Sequence, residues 1–288
     1  MRLLDLAVDG LTLGSVYAMV AIGFHLIFRT SGVVDFSQGE KLVLGGLIGL
    51  TMLQQGVSMY LILVLVPLIG FGLGGLYERV VIRPTQRNGE TAVITASVGA
   101  MLFMAYGHVL VWGANGEPFP AITAGSVEVF GAAVSYQSFW IWGTLLLVTV
   151  LLYLGANHSR FGKGMIAAAS DPVAATAVGI NVAAARVVAF ALAFGLAALG
   201  GVLVAPITLA GGTVGALLVL KGFTGAVLGG IDSLPGVIVG SLLLGVVENL
   251  LGGMLPSGYK EPLVLTLLLV ALLVVPSGIF GRRGARLA

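Results

Sequence analysis

Cysteine is absent from this sequence of 288 residues, and histidine is scarce. Without a thiol the chain forms no disulfide, performs no thiol catalysis and offers no cysteine-ligated metal site. The three histidines, His25, His108 and His158, stand far apart and match no metal-binding spacing. A GxxxxGK(S/T) phosphate-binding motif is also missing, so the chain does not hold ATP in the Walker manner. These absences argue against a thiol enzyme, a metalloenzyme and a Walker-type ATPase.

Charge is the second scarcity. Charged residues make up only 9% of the sequence and hydrophobic residues 58%, whereas soluble domains average about 25% charged residues. Such a chain cannot cover itself with a polar surface, and this predicts a membrane protein. The net charge of +2 is too small to indicate nucleic acid binding.

Apolar stretches dominate what remains, and a spanning helix needs about 20 mainly apolar residues. Nine stretches are candidates, several of them short and interrupted by glycine. They are residues 10–28, 39–54, 59–77, 91–113, 138–156, 187–208, 214–231, 236–253 and 262–277. The count falls to eight if 10–28 or 214–231 does not fully cross.

Lysine and arginine cluster in few loops, and cytoplasmic loops carry the excess of these residues. The loops 78–90 and 157–186 are basic, and so is the C-terminal tail with Arg282, Arg283 and Arg286. The loop 114–137 has no lysine or arginine. We therefore expect the basic segments inside, the loop 114–137 outside, the N-terminus outside and the C-terminus inside.

Nine crossings in this orientation divide into two inverted halves within one permease-like domain, residues 1–288. Repeat one covers about 10–113 and repeat two about 187–277, with 138–156 as the connector and 157–186 as a separate loop. Inverted repeats with short, glycine-interrupted segments are typical of transport proteins.

The stretch "VDFSQGEKL", residues 34–42, concentrates polar residues between two apolar runs. Ser37 and Glu40 have the spacing of a capping box, which predicts a helix start. Irregular backbone at membrane depth is tolerated where it is buried or lines a wet cavity. We therefore also expect Asp35, Ser37, Gln38 and Glu40 to lie beside a translocation path.

The basic loop 157–186 contains a second helix signal. Asp171 precedes Pro172, which suits the first helical position, and Gly179 suits a helix end. Residues 172–178 are therefore predicted to form a short capped helix outside the apolar core. This helix either lies on the bilayer surface or docks a cytoplasmic partner.

Three further ionisable residues fall within or beside apolar runs, where such groups suggest function. Glu248 is expected to reach the interface, Lys221 to snorkel outward or contact an anionic partner, and Asp232 to form an Asx-type turn before Pro235.

Several segments together resemble the LivH-type permeases of branched-chain amino acid ABC importers. They occur in the family's order over nearly the whole chain: "GLTLGSVYAMVAIGF" (10–24), "GVVDFSQGE" (32–40), "ERVVIRPTQRNGETAVITASVGAML" (78–102), "AASDPVAATAVGINV" (168–182), "AVLGGIDSLPGVIVGSLLLGVVE" (226–248) and "PSGIFG" (276–281). The resemblance implies an all-α, type II importer-like fold in the bacterial inner membrane.

The resemblance also implies partners and a coupling site. The loop helix resembles the coupling helix of importer permeases, with Asp171 and Pro172 at its start and Ala174, Ala175 and Gly179 matching its Ala-rich, Gly-ended pattern. The implied partners are a second permease subunit of the M type, two cytoplasmic ATPase subunits that bind ATP, and a periplasmic substrate-binding protein. No cofactor bound by this chain itself is implied.

The family pattern has Asn, Ala and His where this sequence has Asp35, Ser37 and Gln38. Because of these three differences, two substrate classes stay possible: branched-chain or related amino acids, and urea or short amides. An ion-coupled secondary transporter is the rival outside the family, and inverted repeats with buried charge would suit it. A membrane-embedded enzyme is a further rival, but the sequence shows no paired carboxylates and no nucleophile constellation that would support one.

Overall fold

The computed structural model describes residues 2–129, 131–211, 214–254, 262, 266, 269–270, 273 and 278–281. Its helices are α1 (Arg2–Ser31), α2 (Gln38–Gln54), α3 (Met59–Tyr77), α4 (Arg83–Thr85), α5 (Glu90–Trp112), α6 (Tyr136–His158), α7 (Arg160–Ser170), α8 (Pro172–Ala177), α9 (Val182–Thr208), α10 (Val214–Gly229) and α11 (Leu234–Met254). A π turn (Glu78–Ile82) and a 3-10 turn (Gln86–Asn88) flank α4 and prolong α3.

The predicted all-α polytopic membrane fold is confirmed in this coarse form. Within the described part of the chain, six helices are long and apolar enough to cross a membrane, namely α1, α3 with its continuation, α5, α6, α9 and α11. Helices α2 and α10 are shorter, with 17 and 16 residues. The candidate span 262–277 lies mostly outside the described residues, and the basic tail with Arg282, Arg283 and Arg286 lies wholly outside them.

Two local expectations need correction. The region 157–186 contains two helices, α7 and α8, where one was predicted, because Ser159 caps α7 by accepting a hydrogen bond from the Gly162 amide. The loop 114–137, for which no secondary structure was predicted, contains an antiparallel hairpin of β1 (Ser126–Val129) and β2 (Ala132–Ser135). The first helix is also longer than its predicted 10–28, because polar residues flank its apolar run without breaking it.

Helices α1 and α9 form the centre of the bundle and are mostly buried. Helix α1 packs against α9, α10 and α11, and helix α9 packs against α1, α2 and α3. Exchanging α1 with α9, α2 with α10 and α3 with α11 leaves this contact pattern unchanged.

Small residues permit the closest helix crossings, as is usual between membrane helices. Gly10 and Gly14 of α1 lie against Gly245 of α11, and a Cβ atom on any of the three would overlap the backbone of the facing helix. Gly74 of α3 meets α9 in the same way at Phe190 and Ala191. Backbone approach therefore sets the separation of both helix pairs.

The two ends of the bundle differ in which segments they gather. At one end, the Ala133 amide donates to Asp5 Oδ1 at 3.2 Å, and Gln54 Nε2 donates to Glu117 Oε2 at 3.1 Å. Glu117 also forms an isolated β-bridge with Ala210.

At the opposite end, Arg186 Nε donates to Glu78 Oε1 at 2.8 Å, which joins the start of α9 to the continuation of α3. His25 Nδ1 donates to the Ile231 carbonyl oxygen at 2.6 Å, which joins α1 to the α10–α11 turn. The sequence alone did not indicate either contact. The helices α7 and α8 lie at this same end, since α7 follows α6 and α8 packs on α9.

Candidate functional site

Asp35 lies at the centre of a buried polar network at the start of α2. Its Oδ2 accepts from Lys41 Nζ at 2.5 Å. Its Oδ1 accepts from Ser37 Oγ at 2.6 Å, from the Ser37 amide at 3.0 Å and from Tyr77 OH at 3.2 Å. Four donors from two helices thus satisfy a carboxylate that would otherwise be costly to bury.

Lys41 is as buried as its partner and has aromatic neighbours. Its Nζ lies 4.2 Å from the centroid of the Tyr77 ring, and the rings of Phe190 and Phe194 are within 5.8 Å. A cation over aromatic faces is stabilised by the ring quadrupoles, most strongly when it is desolvated. Three helices, α2, α3 and α9, therefore meet around this one ammonium group.

The predicted capping box is wrong. Ser37 has helical backbone angles, φ −76° and ψ 0°, and its side chain makes no capping hydrogen bond. A capping serine normally has extended angles that direct its oxygen at the N2 or N3 amide. Here the hydroxyl donates to Asp35 instead, so the residue supports the buried network rather than the helix end.

Gln38 is the next residue, and unlike Ser37 its side chain has no hydrogen-bond partner in the described structure. That side chain is 0% exposed. It lies against Gly23 of α1, where an added Cβ would come within 3.0 Å of Nε2. An unpaired buried amide costs about 1–3 kcal/mol and requires an explanation.

The first turns of α2 and α10 lie side by side near Gln38. Gly39 faces Gly215, and an added Cβ on Gly39 would overlap the Gly215 carbonyl oxygen. The Glu40 carboxylate fills the space beside Gly215, and its Oε2 lies 3.3 Å from His108 Nδ1 on α5. Glu40 and His108 are both buried.

A partly buried ion pair joins α10 to α11. Lys221 Nζ donates to Glu248 Oε1 at 2.6 Å, and Lys221 also lies over the Tyr17 ring at 5.6 Å. Glu248 was expected to reach the interface, but it is buried and paired with Lys221. Of the two alternatives for Lys221, snorkelling outward or contacting an anionic partner, the structure shows contact with an anionic group, Glu248. Asp232 is exposed, and Ser233 rather than Asp232 caps the following helix by accepting from the Gly236 amide.

The helix predicted around residues 172–178 is present as α8. Asp171 Oδ1 accepts from the amides of Val173 and Ala174, and Gly179 has φ +84° just beyond the helix. Both features match the expected N-cap and left-handed C-terminal glycine.

One side of α8 packs against the protein and the other side is exposed. Ala175 is buried against Ala168 and Ala185, so it anchors the helix to α7 and α9. Val173 and Val178 are 81% and 77% exposed, and Ala174 is exposed as well. This short helix therefore presents apolar side chains away from the protein.

Sequence reasoning missed several members of the buried cluster. Lys41 stood in the quoted stretch but was given no partner, whereas Tyr77 and His108 are distant in sequence and carried no local signal. Within the described residues no group of three His, Asp or Glu side chains is placed to hold a metal ion. The cluster is therefore a set of hydrogen bonds and ion pairs.

Residues 6–275 match the family model described as "Branched-chain amino acid transport system / permease component". No solved structure gives a significant match.

Three relatives are named as permease proteins of high-affinity branched-chain amino acid transport systems. The permease LivH of Salmonella typhimurium is 31% identical and that of Escherichia coli K12 is 30% identical, each over 95% of this chain and 94% of the relative. The permease BraD of Pseudomonas aeruginosa is 30% identical over 96% of this chain and 94% of its own. The chain belongs to the family of permease components of branched-chain amino acid transport systems.

Proposed function

We propose that this permease subunit of an ABC importer translocates a branched-chain or related amino acid and is driven through α8 by partner ATPases. The exposed apolar face of α8 carries the proposal. A capped two-turn helix that presents Val173 and Val178 to its surroundings has the form of a docking knob. An ion-coupled transporter working alone would have no use for such a knob.

The test of coupling is a pair of glycine variants within the same loop. Gly179→Ala places a Cβ in open space, so its effect comes only from the φ of +84°, which costs about 1–2 kcal/mol for a non-glycine residue. Gly164→Ala is the control, because its Cβ would meet only Ile180 Cγ2 at an ordinary 3.8 Å.

We expect Gly179→Ala to lower substrate-stimulated ATPase activity and uptake in the assembled importer, while Gly164→Ala changes neither. Gly179→Val should be more severe, since β-branched residues are poorer still at positive φ. Wild-type ATPase stimulation in both Gly179 variants would refute coupling through α8.

The ends of the bundle give the proposed orientation. The end with Glu78, Arg186, α7 and α8 is cytoplasmic, and the end with the β hairpin is periplasmic, because the basic loops belong to the first. The N-terminus is then outside and the C-terminus inside. The chain lacks cysteine, so single cysteines replacing Arg83 and Gly116 can be labelled with an impermeant thiol reagent. Labelling at position 83 but not at 116 in intact spheroplasts would reverse the orientation.

The symmetric packing of α1 and α9 supports the inverted repeat. Helices α1, α2, α3 and α5 form repeat one, and α9, α10, α11 and the candidate span 262–277 form repeat two, with α6 as connector. The short helices α2 and α10 are then equivalent, and their first turns pack together near Gly39 and Gly215. Nine crossings follow from this assignment.

The proposed path passes the start of α2. Of the four residues expected there, Gln38 and Glu40 face it when it opens, whereas Asp35 and Ser37 hold the helix start in place. The unpaired amide of Gln38 is the supporting observation, because a passing solute would supply its missing partners. Uptake by Gln38→Ala, normalised to inserted protein, should fall, and normal uptake would remove this residue from the path.

The relatives' names and the family support the proposed substrate and partners. The assembly contains a second permease of the M type, two ATPases that bind ATP and a periplasmic binding protein, and this chain binds no cofactor itself. Uptake of leucine, isoleucine and valine should compete with one another and stop on ATP depletion. Urea uptake in their place would point to the alternative substrate, and uptake that depends only on the ion gradient would point to a secondary transporter.

A further inference from the structure

A large wedge-shaped cavity opens between α6 and the rest of the bundle. Helix α6 is buried at Gln137, Ser138, Ile141, Leu145 and Val148, and at no residue beyond them. Between its second half and helices α1, α9 and α11 lies a cavity of about 1830 Å³. Ordinary small-molecule sites have about 300–1,000 Å³, so this space suits a larger occupant.

The lining of the wedge is layered. Its apolar lining comes mainly from α1, α6, α9 and α11, with Leu26, Leu151, Leu192 and Ile238 as examples. Most of its polar lining residues lie near helix ends, among them Arg29 at the end of α1, Asn157 at the end of α6 and Asp232 before α11. An amphiphile that lies along the membrane normal has the same order of polar and apolar parts.

Both signs of charge stand unpaired at the polar rim. Arg29, Glu90 and Asp232 line the cavity, and none of them takes part in a salt bridge within the described residues. Arg186 also lines it but is paired with Glu78. In the described part of the chain, one cation and two carboxylates without a salt-bridge partner thus line the same cavity, which complements a headgroup that carries both a phosphate and an ammonium group.

We propose that this wedge binds a phospholipid with a phosphate and a primary amine in its headgroup, such as phosphatidylethanolamine. Arg29 holds the phosphate, and Asp232 and Glu90 receive the ammonium group. The acyl chains fill the space between the second half of α6 and helices α1 and α11. The cation supplies the attraction to a headgroup phosphate that basic residues between membrane helices provide for lipids, and the two carboxylates supply the attraction to its ammonium group. The amphipathic neighbour α7 closes the polar end through Met165 and Ile166.

The test is photo-crosslinking of the assembled importer in nanodiscs with phosphatidylethanolamine that carries a diazirine on one acyl chain. We expect crosslinks concentrated on residues 149–156 and on the facing parts of α1 and α11. Arg29→Gln should lower the yield about five-fold, the worth of one cation at a lipid headgroup. Arg83→Gln, an exposed arginine outside the wedge, should leave it unchanged.

A second pair of variants tests the volume. Leu151→Trp should narrow the acyl-chain space of the wedge and lower the yield, whereas Leu147→Trp, equally exposed at 58% but outside the lining, should not. Asp232→Asn should weaken the preference for phosphatidylethanolamine over phosphatidylglycerol, which has no ammonium group.

Three outcomes would overturn the proposal. Even labelling of all exposed helices would mean ordinary surrounding lipid. Displacement of the crosslinks by saturating branched-chain amino acid would make the wedge part of the substrate route. Labelling that appears only when the second permease is removed would mean that the partner fills the wedge.

Discussion

Asp35 lies shortly before α2 and Asp171 is the N-cap of α8, and each accepts at least one hydrogen bond from a backbone amide. Asp171 is exposed and caps α8 through two adjacent amides, as local geometry favours. Asp35 is buried, and it accepts one amide, two hydroxyl groups and an ammonium group that come from α2 and α3.

The difference shows how burial changes the role of the same side chain. In contact with water, the orphan amides of a helix are the strongest available partners for a nearby carboxylate. Inside the bundle, an unpaired ammonium group would cost far more free energy than an unpaired amide. Asp35 therefore pairs with Lys41 rather than with the free amides at the start of α2. The four substitutions below test this comparison, in order of decreasing expected loss of stability.

Lys41→Met should have the largest effect. It leaves Asp35 buried without its counter-charge, which costs about 3–5 kcal/mol of unfolding free energy. Thermal unfolding of the detergent-purified protein measures the loss. The double variant with Asp35→Asn should recover part of it, because neither buried charge then remains. A single variant as stable as the wild type would show that the ion pair is not formed.

Ser37→Ala should come next. Its hydroxyl donates to an ionised carboxylate at 2.6 Å, and such hydrogen bonds contribute about 1.5–3 kcal/mol. If Ser37 acted as an ordinary N-cap, its replacement would cost about 1 kcal/mol of stability. The measured loss therefore distinguishes a capping role from a hydrogen bond to Asp35. A double-mutant cycle with Asp35→Asn should show strong coupling, and additive losses would contradict the hydrogen bond.

Asp171→Ala should have a smaller effect, about 1 kcal/mol, because it removes only a solvated cap. The loss should be local: hydrogen exchange should quicken at the amides of Val173 and Ala174, while global unfolding barely changes. Asp171→Asn is the control, since asparagine caps as well as aspartate. Equal losses in both variants would implicate the charge rather than the cap.

Gln38→Leu should have the smallest effect on stability. Removing a buried amide without partners relieves a desolvation penalty, so unfolding should be unchanged or slightly harder. Uptake should nevertheless fall if the amide faces the path. A marked loss of stability would mean that the amide has a partner, such as an ordered water, in the resting protein.

The sequence alone determined a good part of this molecule. Composition and apolar runs were sufficient for a polytopic helical membrane protein, since backbone groups in lipid must be satisfied within helices. The six motifs between residue 10 and residue 281 were sufficient to indicate the family. Asp171, Pro172 and Gly179 predicted α8, because the cap and the left-handed glycine act within a few residues of each other.

Only the tertiary structure decided the partners of the buried polar residues. Tyr77 reaches Asp35 across 42 positions, His108 lies beside Glu40, and Lys221 pairs with Glu248. No periodicity or spacing encodes such pairs, because they depend on which helix faces pack together. The capping box at Ser37 failed for the same reason: a local pattern is followed where water is the competing partner, and in a buried site the strongest nearby charge decides.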